Sequence, residues 1–159
     1  MNSRFSGHWA TFDALSAMDL YKLLKLRVDV FVVEQNCPYP EIDGQDPRAW
    51  HFLLRETDTG ELAGCIRIFE PEASCPLARI GRVATDGRYR GLGLGRHLMR
   101  EGIAKVQDLW PAAGIALSAQ AYLLTFYRGF GFEPVSGEYL EDGIPHVDMV
   151  RDSARRPPA

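Results

Sequence analysis

The chain has little of what several protein classes require. Its 159 residues contain no apolar run near the roughly 20 needed to span a bilayer as a helix. The expectation is a protein outside the membrane. Cysteine is scarce and odd in number: Cys37, Cys65 and Cys75 form no Cys-x-x-Cys pair, which argues against a disulfide framework and a cysteine-rich zinc site. Three thiols of this kind suit a reducing cytoplasm. Positive charge is not in excess, since 18 Lys and Arg stand against 21 Asp and Glu for a net charge of −3, so no global field draws a nucleic-acid backbone. No His/Cys/Asp/Glu group has metal spacing, and no serine sits in a Gly-x-Ser-x-Gly elbow. Metal sites and triad hydrolysis drop out. Residues 1–10 carry Arg4 and His8 but no apolar signal-peptide core, so export is not expected.

What is present is ordinary globular material, 46% apolar and 25% charged, without repeat or linker. One domain is expected over 8–152, followed by a polar, proline-ended flexible tail at 153–159. Ser16 to Asp19 has the form of an N-cap with an acidic third position, and Leu20, Leu23, Leu24, Val28 and Phe31 recur at helical spacing. The first element predicted is therefore a helix, ending before Cys37-Pro38-Tyr39-Pro40. Trp50–Arg55 and Leu62–Phe69 around Asp58-Thr59-Gly60 predict a hairpin, and Ala78–Thr85 a third strand. A helix from Leu94 to about Pro111, a strand at Ile115–Ala119, a short helix at Tyr122–Arg128 and a final β segment ending near Val150 complete a mixed α/β order.

Between the third strand and the second helix lies Arg90-Gly91-Leu92-Gly93-Leu94-Gly95-Arg96. Free amides at a helix N-terminus point outward, the helix dipole favours negative charge, and missing side chains admit an anion closely. Leu92 and Leu94 are expected to bury beneath the loop while Arg90 and Arg96 flank it. Arg82, Arg88 and Arg100 add local positive charge that suits a small polyanion. No Gly-Lys-Ser/Thr follows, which excludes a P-loop, and the third glycine falls one position early for a dinucleotide fingerprint. The competing reading is a turn that merely starts a helix.

The run from Val83 to Gly95 resembles motif A of the GCN5-related N-acetyltransferases (GNAT), Arg/Gln-x-x-Gly-x-Gly/Ala, with Arg90, Gly93 and Gly95 in place. Phe126-Tyr127-Arg128-Gly129-Phe130-Gly131-Phe132 is similar to the end of motif B. Leu24–Gln35, Cys37–Gly44 and Glu141–His146 resemble the ElaA-like branch, so the likeness covers nearly the whole chain. It implies the GNAT fold, a mixed central β-sheet splayed between strands 4 and 5 with helices on both faces. It also implies acetyl-CoA as acyl donor, an amine acceptor, no metal, and a monomer or homodimer. By the resemblance, Val83, Ala84 and Thr85 line the pantetheine arm and thioester, and Gly91, Leu92, Gly93, Leu94, Gly95 and Arg96 hold the pyrophosphate together with Arg90. Gln120 stands where many members have asparagine.

Amine attack on a thioester needs proton removal, oxyanion stabilisation and an acid for the thiolate. The resemblance gives the acid role to Tyr127; the competing reading packs that ring under the Gly129–Phe132 turn. Some members place a carboxylate on strand 5, but 114–120 contains none. Glu34 and His146 are the candidate bases, against a cap or ion pair with Arg27 for Glu34 and an exposed turn for His146. His97 is expected on a polar helix face, and His51 lies in a strand of undetermined facing. The acidic loop Glu41–Asp46 is open between attracting a cationic amine and being a solvated turn. A catalytically silent acyl-CoA-binding module is the alternative function, and a nucleotide-binding domain a third.

Overall fold

The computed structural model describes residues 4–153, so all of the expected tail but Ser153 lies outside the described residues. Among the described residues, eight strands and three α-helices follow in chain order. Strand β1 is Phe5–Thr11, α1 Ala17–Val28, β2 Trp50–Glu56, β3 Leu62–Phe69, β4 Leu77–Thr85 and α2 Leu94–Leu109. Then come β5 Gly114–Gln120, α3 Leu124–Arg128, β6 Glu133–Pro134, β7 Tyr139–Glu141 and β8 Ile144–Arg151. The strands form one sheet in the order β1-β2-β3-β4-β5-β8-β6, with β7 paired to β8. The β4–β5 pairing is parallel and spans Leu77–Arg79 against Gly114–Ala116, although the strands run on to Thr85 and Gln120. This is the mixed sheet expected.

Strand β1 is the element that the sequence pattern did not disclose. It pairs antiparallel with β2 from Phe5↔Glu56 to Thr11↔Trp50, ahead of the helix predicted as the first element. Its alternation is broken at Gly7, where a Cβ would come 2.2 Å from the Phe52 ring, so the glycine makes room for an aromatic of the neighbouring strand.

Two compact units make up the chain, one comprising the residues up to Arg67 with Arg82–Met99, the other Ile68–Gly81 with the residues from Arg100 on. In the first, Ser16 Oγ accepts from the Asp19 amide at 3.0 Å and caps α1, as its sequence indicates. After Val28 the helix widens into a π-type turn over Asp29–Glu34, and Asn36 closes it in a left-handed conformation, φ +50°, before Pro38. Leu23, Leu26 and Val30 from this region pack with Leu53, Leu62, Cys65 and Ala84. In the second unit, Ile115, Leu117 and Ala119 of β5 and Val147 and Met149 of β8 are buried, as are Phe130 and Phe132. Side chains alternate along each strand, which puts Ser118 and Gln120 of β5 and His146 and Asp148 of β8 on the face opposite these.

Candidate active site

In the first unit the glycine-rich loop has the geometry that anion binding asks for. Gly91 and Gly93 adopt φ +81° and +77°, conformations costly to a residue with a Cβ, and a Cβ on either would meet nothing within 4 Å. The His97 amide donates to Gly93 O at 3.2 Å, so the amides of Gly93, Leu94, Gly95 and Arg96 precede the first bond of α2. Sixteen residues of helix stand behind them. These residues fit a pyrophosphate. Leu94 is buried beneath the loop as expected, but Leu92 is 49% exposed. The left-handed glycines on either side of Leu92 turn its side chain outward, which corrects the expectation that both leucines bury.

Arg90 makes a two-pronged pair with Glu34, Nη1 to Oε1 at 2.7 Å and Nη2 to Oε2 at 2.7 Å, and Nη2 also donates to Thr85 O at 3.1 Å. Three expected site residues therefore meet here, and the partner of Glu34 is Arg90 instead of Arg27. Immediately before Val83, Ala84 and Thr85, Arg82 sits at φ +51°, an uncommon conformation for an arginine within a strand. Its guanidinium lies 2.6 Å from Glu41 Oε1 and donates to Glu41 O at 3.0 Å.

That contact belongs to a buried ion cluster. Arg27 bonds Glu41 through Nε and Nη2, at 3.1 and 2.9 Å, and Asp46 through Nη1 at 2.8 Å. Arg67 reaches Asp46 at 2.8 Å and Asp43 at 2.6 Å. Glu41 and Asp46 are only 3% and 4% exposed and each is ion-paired, so these two carboxylates of the acidic loop are not solvated, although Ile42 between them is 61% exposed. Burial opposes ionisation of Asp43 and Asp46, but hydrogen bonds and charge from Arg67 and Arg27, respectively, hold both carboxyls below their usual range. His51 faces inward, its Nε2 3.0 Å from Asp46 O, and burial holds its pKa down. His97, read as a polar-face residue, lies edge-on to Phe52 at 6.2 Å.

In the second unit Tyr127 is buried among aromatics, Phe126 at 5.2 Å and Phe132 at 6.3 Å, and its carbonyl accepts the Phe130 and Phe132 amides. Burial, reinforced by Tyr122, pushes its hydroxyl up to about 12. Gln120 and His146 are direct partners in the antiparallel β5–β8 ladder. His146 is not an exposed turn residue; its side chain is 11% exposed, Nδ1 lies 2.7 Å from Ile144 O, and the ring stacks on Tyr139 at 6.1 Å.

The same ladder sets Ser118 opposite Asp148, and Tyr139 bonds both, with Ser118 Oγ at 2.5 Å and Asp148 Oδ1 at 2.6 Å. None of these three stood out in the sequence. The available signal was the alternation of polar residues at 118 and 120 and at 146 and 148, but only the strand register shows that the two sets coincide.

A family model for the Acetyltransferase (GNAT) domain matches residues 27–153. The protein ElaA of Escherichia coli K12 is 42% identical over 138 residues, which cover 87% of this chain and 90% of that one. A UPF0039 protein of Mycobacterium tuberculosis is 47% identical over 140 residues, 86% of each chain. The crystal structure of E. coli ElaA matches with a TM-score of 0.85 at 40% identity, over 93% of this chain and 99% of the other. That of an acyl-CoA N-acyltransferase from Pseudomonas aeruginosa reaches 0.88 at 38% identity, over 92% and 99%.

Proposed function

Because the chain belongs to the GNAT acetyltransferase family and is thereby an acyl-CoA-dependent acyltransferase, we propose that it moves an acetyl group from acetyl-CoA to the amine of a small molecule or peptide by direct attack. The observation that carries this reading is the loop at Gly91 and Gly93, left-handed at both glycines and unobstructed where a Cβ would stand. Its amides hold the pyrophosphate, with Arg96 beside them. The backbone of Val83, Ala84 and Thr85 takes the pantetheine arm, and Gln120 adds a polar contact. Glu34 serves as the counter-ion that orients Arg90, since both of its oxygens are engaged by that guanidinium.

Acetyl-CoA supplies a thioester, whose C–S bond breaks as the C–N bond forms. Tyr127 donates the proton that the departing sulfur needs. With its hydroxyl pushed up to about 12, against about 8.5 for a free thiol, full transfer runs uphill by roughly 5 kcal/mol at ~1.4 kcal/mol per pKa unit. A sulfur leaving into equally dry surroundings has its own pKa raised by burial, which narrows that gap. The proton is thus retained on Tyr127 until the thiolate develops.

Thermal unfolding with acetyl-CoA, CoA, ATP and NAD tests the reading. At 100 times its dissociation constant a ligand stabilises by about 2.7 kcal/mol, or roughly 5–10 °C for a domain of this size. Protection by acetyl-CoA and CoA above that by ATP or NAD is expected, and the reverse order would make this a nucleotide site. The lack of an acid at 114–120 favours a second reading, a module that binds acyl-CoA without turning it over. Release of free CoA with an added amine separates the two.

A further inference from the structure

The geometry points to the chain of Ser118, Tyr139 and Asp148 as the place where the acceptor amine is held by its N–H and gives up its proton, with Asp148 as the terminal base. This rests on the amine-acylation reading above.

Strand β5 carries no carboxylate, yet its ladder with β8 provides one. Ser118 and Asp148 are paired, Gln120 and His146 are paired, and Tyr139 of β7 is paired with His146. Directly opposed residues of antiparallel strands project to the same side, so these five share one face, away from buried Leu117, Ala119, Val147 and Met149. Asp148 is fixed there at its backbone, its amide donating to Ser136 Oγ at 2.9 Å and its carbonyl accepting from Val135 at 2.8 Å.

Proton counting gives the chain a direction. An ionised carboxylate only accepts, so Tyr139 spends its single proton on Asp148. Its contact with Ser118 must then have the serine hydroxyl as donor. Ser118 Oγ keeps acceptor capacity alone, and the group that fits next to it is a donor, such as an amine N–H. Burial and the bond to Asp148 raise the Tyr139 pKa, in keeping with a hydroxyl that holds its proton.

The charged and titratable groups around this chain are few. Strand β7 contributes Tyr139 and Glu141, β8 contributes Asp148 and His146, with Arg151 on its opposite face donating to Phe130 O at 2.9 Å, β6 contributes Glu133, and 114–120 of β5 contributes none. His146 Nε2 is 3.5 Å from Glu141, and Glu133 is 3.8 Å from Arg128 Nε. Asp148 Oδ1 accepts from Tyr139, so the carboxylate polarises the hydroxyl chain toward Ser118.

As the amine lone pair forms the C–N bond and the C–S electron pair leaves on sulfur, an amine proton passes to Ser118 Oγ. The serine proton moves to Tyr139 and the tyrosine proton to Asp148, which ends as a carboxylic acid with both hydroxyls restored. Tyr127 protonates the sulfur, and exchange with water returns Asp148 and Tyr127 to their starting states.

The test uses benzylamine as probe. Heteronuclear NMR of the free protein titrated with benzylamine is expected to perturb amides of β5, β7 and β8. In benzylamine acetylation, Ser118→Ala, which leaves the Tyr139–Asp148 bond intact, is expected to lower kcat/KM at least about tenfold. Asp148→Asn does the same, and Asp148→Glu restores part of the loss. In both disabled variants the pH profile of kcat/KM departs from that of the wild type, because the proton released as the C–N bond forms must then pass to solvent. Acetyl-CoA affinity stays within about twofold. Perturbations that avoid these strands, or a Ser118→Ala enzyme with the wild-type pH profile, would overturn the assignment. Failure of acetyl-CoA to bind the wild type would instead sink the acyl-transfer reading, while the benzylamine titration, which needs no CoA, still decides the amine site.

Discussion

Arg90 and Glu34, 56 positions apart in sequence, meet through two contacts of 2.7 Å, and Arg90 also donates to Thr85 O. The motif arginine is thereby held by the end of the helical segment that follows α1, and Glu34 is committed to an ion pair. Both side chains are nearly half exposed, so the pair contributes little stability, about 0–1 kcal/mol. Glu34→Gln should lower Tm by no more than roughly 4 °C and keep turnover within about threefold. A loss of turnover near a hundredfold, measured with saturating acetyl-CoA, would return Glu34 to the role of base.

Tyr127→Phe removes the hydroxyl and leaves the ring among Phe126 and Phe132. Turnover is expected to fall by about 10²-fold while acetyl-CoA affinity is nearly unchanged. Steady-state kinetics beside a direct CoA titration reads both. Stability has a sign as well: a hydroxyl pushed up to about 12 from an unfolded value near 10 favours the native state below pH ~10. That contribution is lost as pH rises through about 12, and Tyr127→Phe should flatten this part of the alkaline unfolding curve.

The cluster of Arg27, Glu41, Asp43, Asp46, Arg67 and Arg82 governs acid stability. Asp43 and Asp46 have folded pKa values below the unfolded value of 3.8, so their contribution is present above that pH and is lost as pH falls through the folded values. Acid unfolding followed by circular dichroism should steepen below pH ~3.8. Arg27→Met takes from two buried carboxylates one of their guanidinium partners, leaving Glu41 to Arg82 and Asp46 to Arg67, and should cost about 3 kcal/mol, measured by urea unfolding at neutral pH.

The three thiols should divide by burial. Cys75 is exposed, Cys37 is 7% and Cys65 1% exposed, and burial pushes the Cys65 thiol up to about 12. Titration with a thiol reagent is expected to give one fast equivalent in the native protein and three after denaturation. Rapid loss of a second thiol would show that the first unit opens readily.

Elements whose signal is local were legible without a structure. The Ser16 cap, the strand before the loop, the glycine pattern and the Pro38 stop each act over a few residues, and each lies where its residue types put it. Strand β1 was not legible, because Gly7 interrupts its alternation and the reason for that glycine, the Phe52 ring, lies on another strand. Leu92 alternates with glycine as a burying residue would, but the two left-handed glycines around it reverse the direction of its side chain and leave it exposed.

By itself, then, the amino-acid order determined the α/β succession, the glycine-rich turn into the second helix and the family, since these depend on residue types at short, fixed spacings. Only the tertiary structure decided how charges and hydroxyls are partnered. Glu34 went to Arg90, the 41–46 acids went to Arg27, Arg67 and Arg82, and Ser118, Tyr139 and Asp148 joined across three strands. The physical reason is that a hydrogen bond or ion pair acts over a few ångströms of space, and strand register and loop closure set which distant residues come within that reach.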